Sequence, residues 1–178
     1  MLSPKKSLLA LALIAALAVF AGGALAANGG NSGNAKLCQD WPALMDASGV
    51  QFSNEGACVS SAAHGGAVYA LASLTVEASA NQPFDGISVS TSGFGLAPTT
   101  FATTSLLKNG TEIKFDALVV PASGAVSGQP FGSFAAPCVP GNVWSATATG
   151  TSADSLSTPT MPGIPVTSNT VTRVSTCP

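Results

Sequence analysis

The sequence predicts a mainly β protein, an antiparallel β-sandwich preceded by a small disulfide-linked α-hairpin. Three observations carry that prediction. From Ala67 onward the apolar residues recur with a period of two: Ile87 and Val89 alternate with Ser88 and Ser90, and Trp144, Ala146 and Ala148 alternate with Ser145, Thr147 and Thr149. That is the pattern of strands with one buried face. Between Cys38 and Gly66 the pattern is helical instead, and all four cysteines, Cys38, Cys58, Cys138 and Cys177, lie downstream of a segment with the features of an export signal.

That segment occupies residues 1–26. Met1 to Lys6 is short and basic, Leu8 to Phe20 is continuously apolar, and Ala24-Leu25-Ala26 supplies the small residues at which a signal peptide is cut. Cleavage is expected after Ala26. The alternative is an uncleaved anchor, because the apolar run extended to Ala26 approaches the roughly 20 residues needed to cross a bilayer. No cysteine lies at the cleavage point, so a lipid-modified N-terminus is not expected. Residues 27–36 begin with ANGGNSGNA, a Gly/Asn/Ser run without apolar periodicity, and read as a flexible lead-in.

Removal of residues 1–26 leaves four basic residues, Lys36, Lys108, Lys114 and Arg173, against eight acidic ones, a net charge of −4. Nucleic acid is held chiefly by Lys and Arg neutralising phosphates, so it is excluded as a partner. The exported part is poor in charge and rich in Ser, Thr, Ala, Gly and Val. Such a composition favours strands whose exposed face carries hydroxyls, and it is too apolar for disorder.

Residues 37–66 form the predicted hairpin. Asp40 can cap a first helix with Pro42 in its opening turn, Leu44 and Met45 give an apolar face, and Gly49 ends it. A second helix starts at Ser53 or Asn54 and stops at Gly65-Gly66. Helices this short are marginal alone, and a Cys38–Cys58 bridge would staple them together with about 3 kcal/mol of loop entropy. The arrangement Cys38, Trp41, Phe52, Asn54-x-Gly56-x-Cys58-Val59-Ser60, Gly65-Gly66 resembles a cysteine motif of exported bacterial proteins of uncharacterised function. In those proteins a Gln usually stands where this chain has Glu55. The resemblance implies export and carries no activity.

Residues 67–178 hold the strands, read as Val68–Val76, Ile87–Thr91, Phe101–Leu107, Glu112–Val120, a strand around Gly132–Ala136, Val143–Thr149 and Thr167–Cys177. Asn109-Gly110 is a two-residue hairpin signal, since a type I′ turn needs positive φ at both central positions. In the strand after it, Ile113, Phe115, Ala117 and Val119 are expected to face the core and Glu112, Lys114 and Asp116 the solvent. Four cysteines in an oxidising space allow three connectivities. If Val143–Thr149 pairs antiparallel with Thr167–Cys177, Cys138 and Cys177 lie side by side, which favours Cys138–Cys177 together with Cys38–Cys58. ISVSTSGFGLAPTT (Ile87–Thr100) and VWSATATG (Val143–Gly150) resemble strands of bacterial immunoglobulin-like surface domains, and more faintly the antitumour chromoprotein carriers. The resemblance implies an immunoglobulin-like antiparallel β-sandwich; it implies no particular function, because sandwiches host unrelated activities.

Residues with chemical potential read as structural. His64 is the only histidine, with no local carboxylate or nucleophile, and it sits where it can meet the free carbonyls at a helix end. The cysteines form no Cys-x-x-Cys pair and have no adjacent base to activate a thiol, so they are expected as disulfides and not as redox or metal sites. The carboxylates Asp40, Asp46, Glu55, Glu77, Asp85, Glu112, Asp116 and Asp154 are scattered, and Asp85-Gly86 reads as a turn before a strand. Trp144 shares a face with Ala146 and Ala148 and is expected in the core, and Trp41 against Phe52. Asn109-Gly110-Thr111 matches a glycosylation acceptor but is explained by its turn.

No catalytic residue, cofactor or metal ligand is therefore assigned. The expected role is a non-enzymatic extracellular or cell-surface binding or structural module with an unidentified exterior partner, meeting the membrane only through its signal sequence. A small-molecule carrier with an apolar cleft beside the sandwich is the alternative. A hydrolase built from dispersed carboxylates is the weakest reading.

Overall fold

The computed structural model describes residues 32–80, 85–128, 131–135 and 137–177. The expected signal segment and residues 27–31 of the lead-in lie outside the described residues.

A short helix, Ser32–Ala35, runs into a 3₁₀ helix, Lys36–Ala43. Residues 32–36 are thus helical and not a flexible lead-in. Asn34 is buried and meets the Thr158 backbone in both directions, its Nδ2 donating to Thr158 O at 3.1 Å and its Oδ1 accepting from Thr158 N at 2.8 Å. The helix expected from Asp40 to Gly49 is also corrected. Helical structure stops at Ala43, and Leu44–Met45 is a short strand, β1, paired antiparallel with β2 (Tyr69–Ala70). Burial supplies the reason. Leu44 packs with Cys38, Phe52, Cys58, Ala62 and Val68, whereas Met45 packs with Tyr69 and Ala72 in a separate cluster. Neighbouring residues point to opposite faces of a strand, which serves both clusters at once.

The helix Glu55–Ala63 forms where expected. Asn54 caps it, its Oδ1 accepting from Ala57 N at 2.8 Å, and Gly65 at φ +86° ends it. Cys38 is bonded to Cys58, so the two helical segments are tied through their buried sides.

The remaining strands are β3 (Ser73–Ala80), β4 (Asp85–Phe94), β5 (Phe101–Lys108), β6 (Thr111–Val119), β7 (Val126–Ser127), β8 (Phe131–Ala135), β9 (Val143–Thr151), β10 (Pro165–Thr167) and β11 (Val171–Val174). They form a four-stranded sheet, β3-β4 with β7 and β8 both on β4, and a five-stranded sheet, β10-β9-β5-β6 with β11 also on β9. All of these pairs are antiparallel. The two sheets share one core that includes Leu74, Val76, Ile87 and Val89 from one side and Ala102, Leu106, Trp144, Ala146 and Ala148 from the other. The last strand is divided. Between β10 and β11, Asn169 acts on Val76 as a strand backbone would, its Oδ1 accepting from Val76 N and its Nδ2 donating to Val76 O, each at 2.9 Å.

Asn109 and Gly110 both have positive φ, +50° and +81°, and close the β5–β6 hairpin with Lys108 paired to Thr111. The face of β6 is the reverse of the expected one. A one-residue bulge places Leu106 opposite Lys114 and Leu107 opposite Glu112. Without it, Lys108↔Thr111 would continue to Leu106↔Ile113 and Thr104↔Phe115, and the apolar set would point inward. A shift of one residue moves every following side chain to the other face. Phe115, Ala117 and Val119 are therefore exposed, and Asp116 and Leu118 lie opposite the buried Thr104 and Ala102. Ile113, skipped by the ladder, is exposed as well.

Candidate functional site

Three places deserve a chemical reading: a buried carboxylate at one end of the core, the outer face of β5 and β6, and a cleft at the seam between the helical region and the sheets.

The carboxylate is Asp85. It does not sit in a turn, as its Asp-Gly sequence implied; it is the first residue of β4 and has no exposed surface. Lys108 Nζ reaches its Oδ2 at 2.7 Å and Asn142 Nδ2 donates to the same oxygen at 2.5 Å. Trp144 Nε1 donates to Oδ1 at 2.8 Å, and the Ser175 hydroxyl donates there too. Burial alone raises the pKa of such a group. The hydrogen bonds from Lys108, Ser175, Trp144 and Asn142 outweigh it and hold the carboxyl well below the usual carboxylate range. A carboxylate so fully engaged neither donates a proton near neutral pH nor has a free lone pair aimed at a ligand. Its work is structural: it gathers β4, β5, β9 and the segment after β11 at one end of the core, where Cys138 is bonded to Cys177. Asn109 extends the cluster, its Oδ1 accepting from Val143 N and its Nδ2 donating to Asn142 Oδ1, both at 2.8 Å.

The outer face of the five-stranded sheet has two zones. Its middle is hydroxylic: Thr103 and Thr149 share a hydrogen bond at 3.0 Å, and Thr147 and Thr170 share another at 2.9 Å. Its β6 edge is apolar. Phe101 pairs with Val119 across the ladder, and Phe115 follows on the same face; they are 57%, 63% and 66% exposed. Scattered single apolar residues are ordinary on a surface, but three large ones on one sheet face, with the exposed Ala117 between Phe115 and Val119, form a strip, and apolar patches mark contact sites.

The seam cleft measures about 380 Å³ and is lined by Asn34, Ala47, Gly65, Gly66, Ala67, Tyr69, Ser157, Thr158, Pro159 and Met161. Its volume lies within the range of small-molecule sites. Tyr69 contributes a ring whose hydroxyl is committed to Pro162 O at 3.1 Å.

The other residues singled out in the sequence are dispersed. His64 Nδ1 lies 2.6 Å from Ser60 O at the end of its helix, away from Asp85 and its partners. Trp41 packs in the hairpin cluster that contains Phe52, and Trp144 is in the main core with its indole N–H on Asp85. Among the described residues no group of three His, Cys, Asp or Glu is arranged to hold a metal ion, and the four cysteines are all in disulfides. No helix among them is long and apolar enough to cross a membrane. Sequence reasoning missed the Asp85 cluster, whose members are spread from residue 85 to residue 175, and no local spacing marks it. It also placed Phe115 and Val119 on the wrong face. Two disulfides point to a non-cytoplasmic environment, since reducing compartments keep thiols free. Comparison with family models, with curated proteins and with solved structures returns no match.

Proposed function

We propose that this chain is an exported, non-enzymatic module that binds another protein outside the cytoplasm. In this reading its two-sheet core is an immunoglobulin-like sandwich, residues 1–26 are a cleaved signal peptide, and the outer face of β5 and β6 is the contact surface. The observation that carries the reading is the apolar strip of Phe101, Phe115 and Val119 beside a hydroxylic sheet face. Aromatic side chains contribute much of the energy of protein contacts, and a polar rim around an apolar centre is the usual anatomy of an interface.

The test presents biotinylated mature protein to the cells that export it and to their culture supernatant. The wild type is expected to capture a protein partner that the Phe101→Ser/Phe115→Ser double variant does not, with both proteins equally folded by circular dichroism. Equal capture by both would overturn the assignment of this face.

The seam cleft supports a second reading, that of a small-molecule carrier, because Pro159, Met161, Ala67 and the Tyr69 ring give it a largely apolar lining. Saturable uptake of an apolar fluorescent probe, lost in a Met161→Asp variant that stays folded by circular dichroism, would favour it over protein contact.

A further inference from the structure

We propose that the partner of the β6 edge is a second copy of this chain, joined to it about a two-fold axis through Phe115. The proposal rests on the reading of β5 and β6 as a contact surface and names the occupant.

β6 ends the five-stranded sheet, and no described strand pairs with its outer side. Val120 N donates to Thr100 O at 2.9 Å, so the residues in step with Val120 exchange backbone bonds with β5. The N–H and C=O groups of the alternate residues, Phe115, Ala117 and Val119, therefore line the free edge. An open edge of this kind pairs with another strand unless the sequence prevents it.

The sequence of β6 decides which strand fits. Antiparallel pairing of β6 with itself, centred on Phe115, sets Phe115 opposite its own copy, Lys114 opposite Asp116 and Ile113 opposite Ala117. Directly opposed side chains stand about 5 Å apart, so two Lys–Asp pairs form on one face and aromatic and aliphatic pairs on the other. A two-residue slip in either direction instead opposes Lys114 to Lys114 or Asp116 to Asp116. One inward-facing charge on an edge strand disfavours pairing; two of opposite sign flanking one centre favour the register that pairs them over its two-residue neighbours. Such a contact is isologous, so it consumes the edge and closes as a dimer. The bulge at Ile113 ends the regular ladder and keeps the contact small and reversible. Lys114 has local partners in one copy, Gly132 O at 3.1 Å and the Phe131 ring at 5.5 Å, which it exchanges in the dimer for Asp116 of the second copy.

The test is charge reversal read by sedimentation equilibrium of the mature chain. The wild type is expected to show a concentration-dependent doubling of mass. Lys114→Asp and Asp116→Lys alone each oppose like charges and are expected to weaken the dimer about tenfold or more. An equimolar mixture of those two variants restores both ion pairs and is expected to recover the doubled mass as a heterodimer. Circular dichroism confirms that each variant is folded. A wild type that stays monomeric at millimolar concentration, or a dimer indifferent to both reversals, overturns the proposal. A monomeric wild type that still captures a partner through Phe101 and Phe115 discards self-pairing while leaving the protein-contact reading standing.

Discussion

Trp144 donates its indole N–H to Asp85 Oδ1 at 2.8 Å, and the same ring lies beneath Lys108 Nζ, 5.0 Å from its centroid. The largest fully buried side chain of the core thus ends on the most heavily hydrogen-bonded carboxylate described. A tryptophan can be buried this deeply only if its N–H finds an acceptor, and the carboxylate tolerates burial only because four donors surround it.

Removing the carboxylate should therefore be costly. Asp85→Ala leaves the Trp144 N–H and the Lys108 ammonium without their acceptor, and a loss of about 3–5 kcal/mol is expected. Urea denaturation followed by circular dichroism measures it. A loss below about 1 kcal/mol would mean that water replaces the carboxylate freely.

Stability should fall in acid through the same group. Its folded pKa is depressed, so the unfolded chain binds the proton more readily between the folded value and the ordinary one near 3.9. The stabilisation is complete above the ordinary value and is lost as pH falls below it. The urea midpoint is expected to hold from about pH 7 to pH 5 and to drop steeply below about pH 4. Asp85→Asn should flatten that drop. It should not abolish it, because Asp46 is also depressed: burial raises its pKa, but hydrogen bonds from the Ser48 side chain and the Val50 and Ser48 amides lower it further.

The two disulfides should fail differently. Cys38→Ser/Cys58→Ser opens a bridge of sequence separation 20, worth about 3 kcal/mol, and should loosen the nine-residue helix Glu55–Ala63 while the sheets persist. Cys138→Ser/Cys177→Ser opens one of separation 39, worth about 4 kcal/mol, beside the Asp85 cluster. Hydrogen exchange should show local opening of residues 36–64 in the first variant and weakened protection of β9 and β11 in the second.

The β5–β6 turn offers a finer test. At Gly110, φ +81°, an added Cβ would meet nothing within 4 Å, so Gly110→Ala reports backbone strain alone, about 1 kcal/mol. Asn109→Ala should cost more, because it also removes the bonds to Val143 N and Asn142. Equal losses would show that the Asn109 side chain contributes nothing beyond its turn conformation.

Much of this architecture was legible in one dimension. The second helix and the Asn109-Gly110 turn follow from local rules, since a cap and a positive-φ pair act over a few residues; the cysteine pairing that the structure shows was one of three, favoured in the sequence only through an assumed pairing of two strands. Leu44 and Met45 were misread because two adjacent apolar residues fit either a helix face or a strand, and only the positions of Phe52 and Tyr69 show that they serve separate clusters. Asp85 resembled a turn residue because its four donors come from distant parts of the chain.

Alternation and capping specified most of the strands and one helix, for these depend on neighbours along the chain. Which side of β6 meets solvent was settled by a single extra residue in a ladder, and the Asp85 cluster by the meeting of four segments. Both are long-range matters, because strand register and the solvation of a buried charge depend on whatever the fold brings alongside.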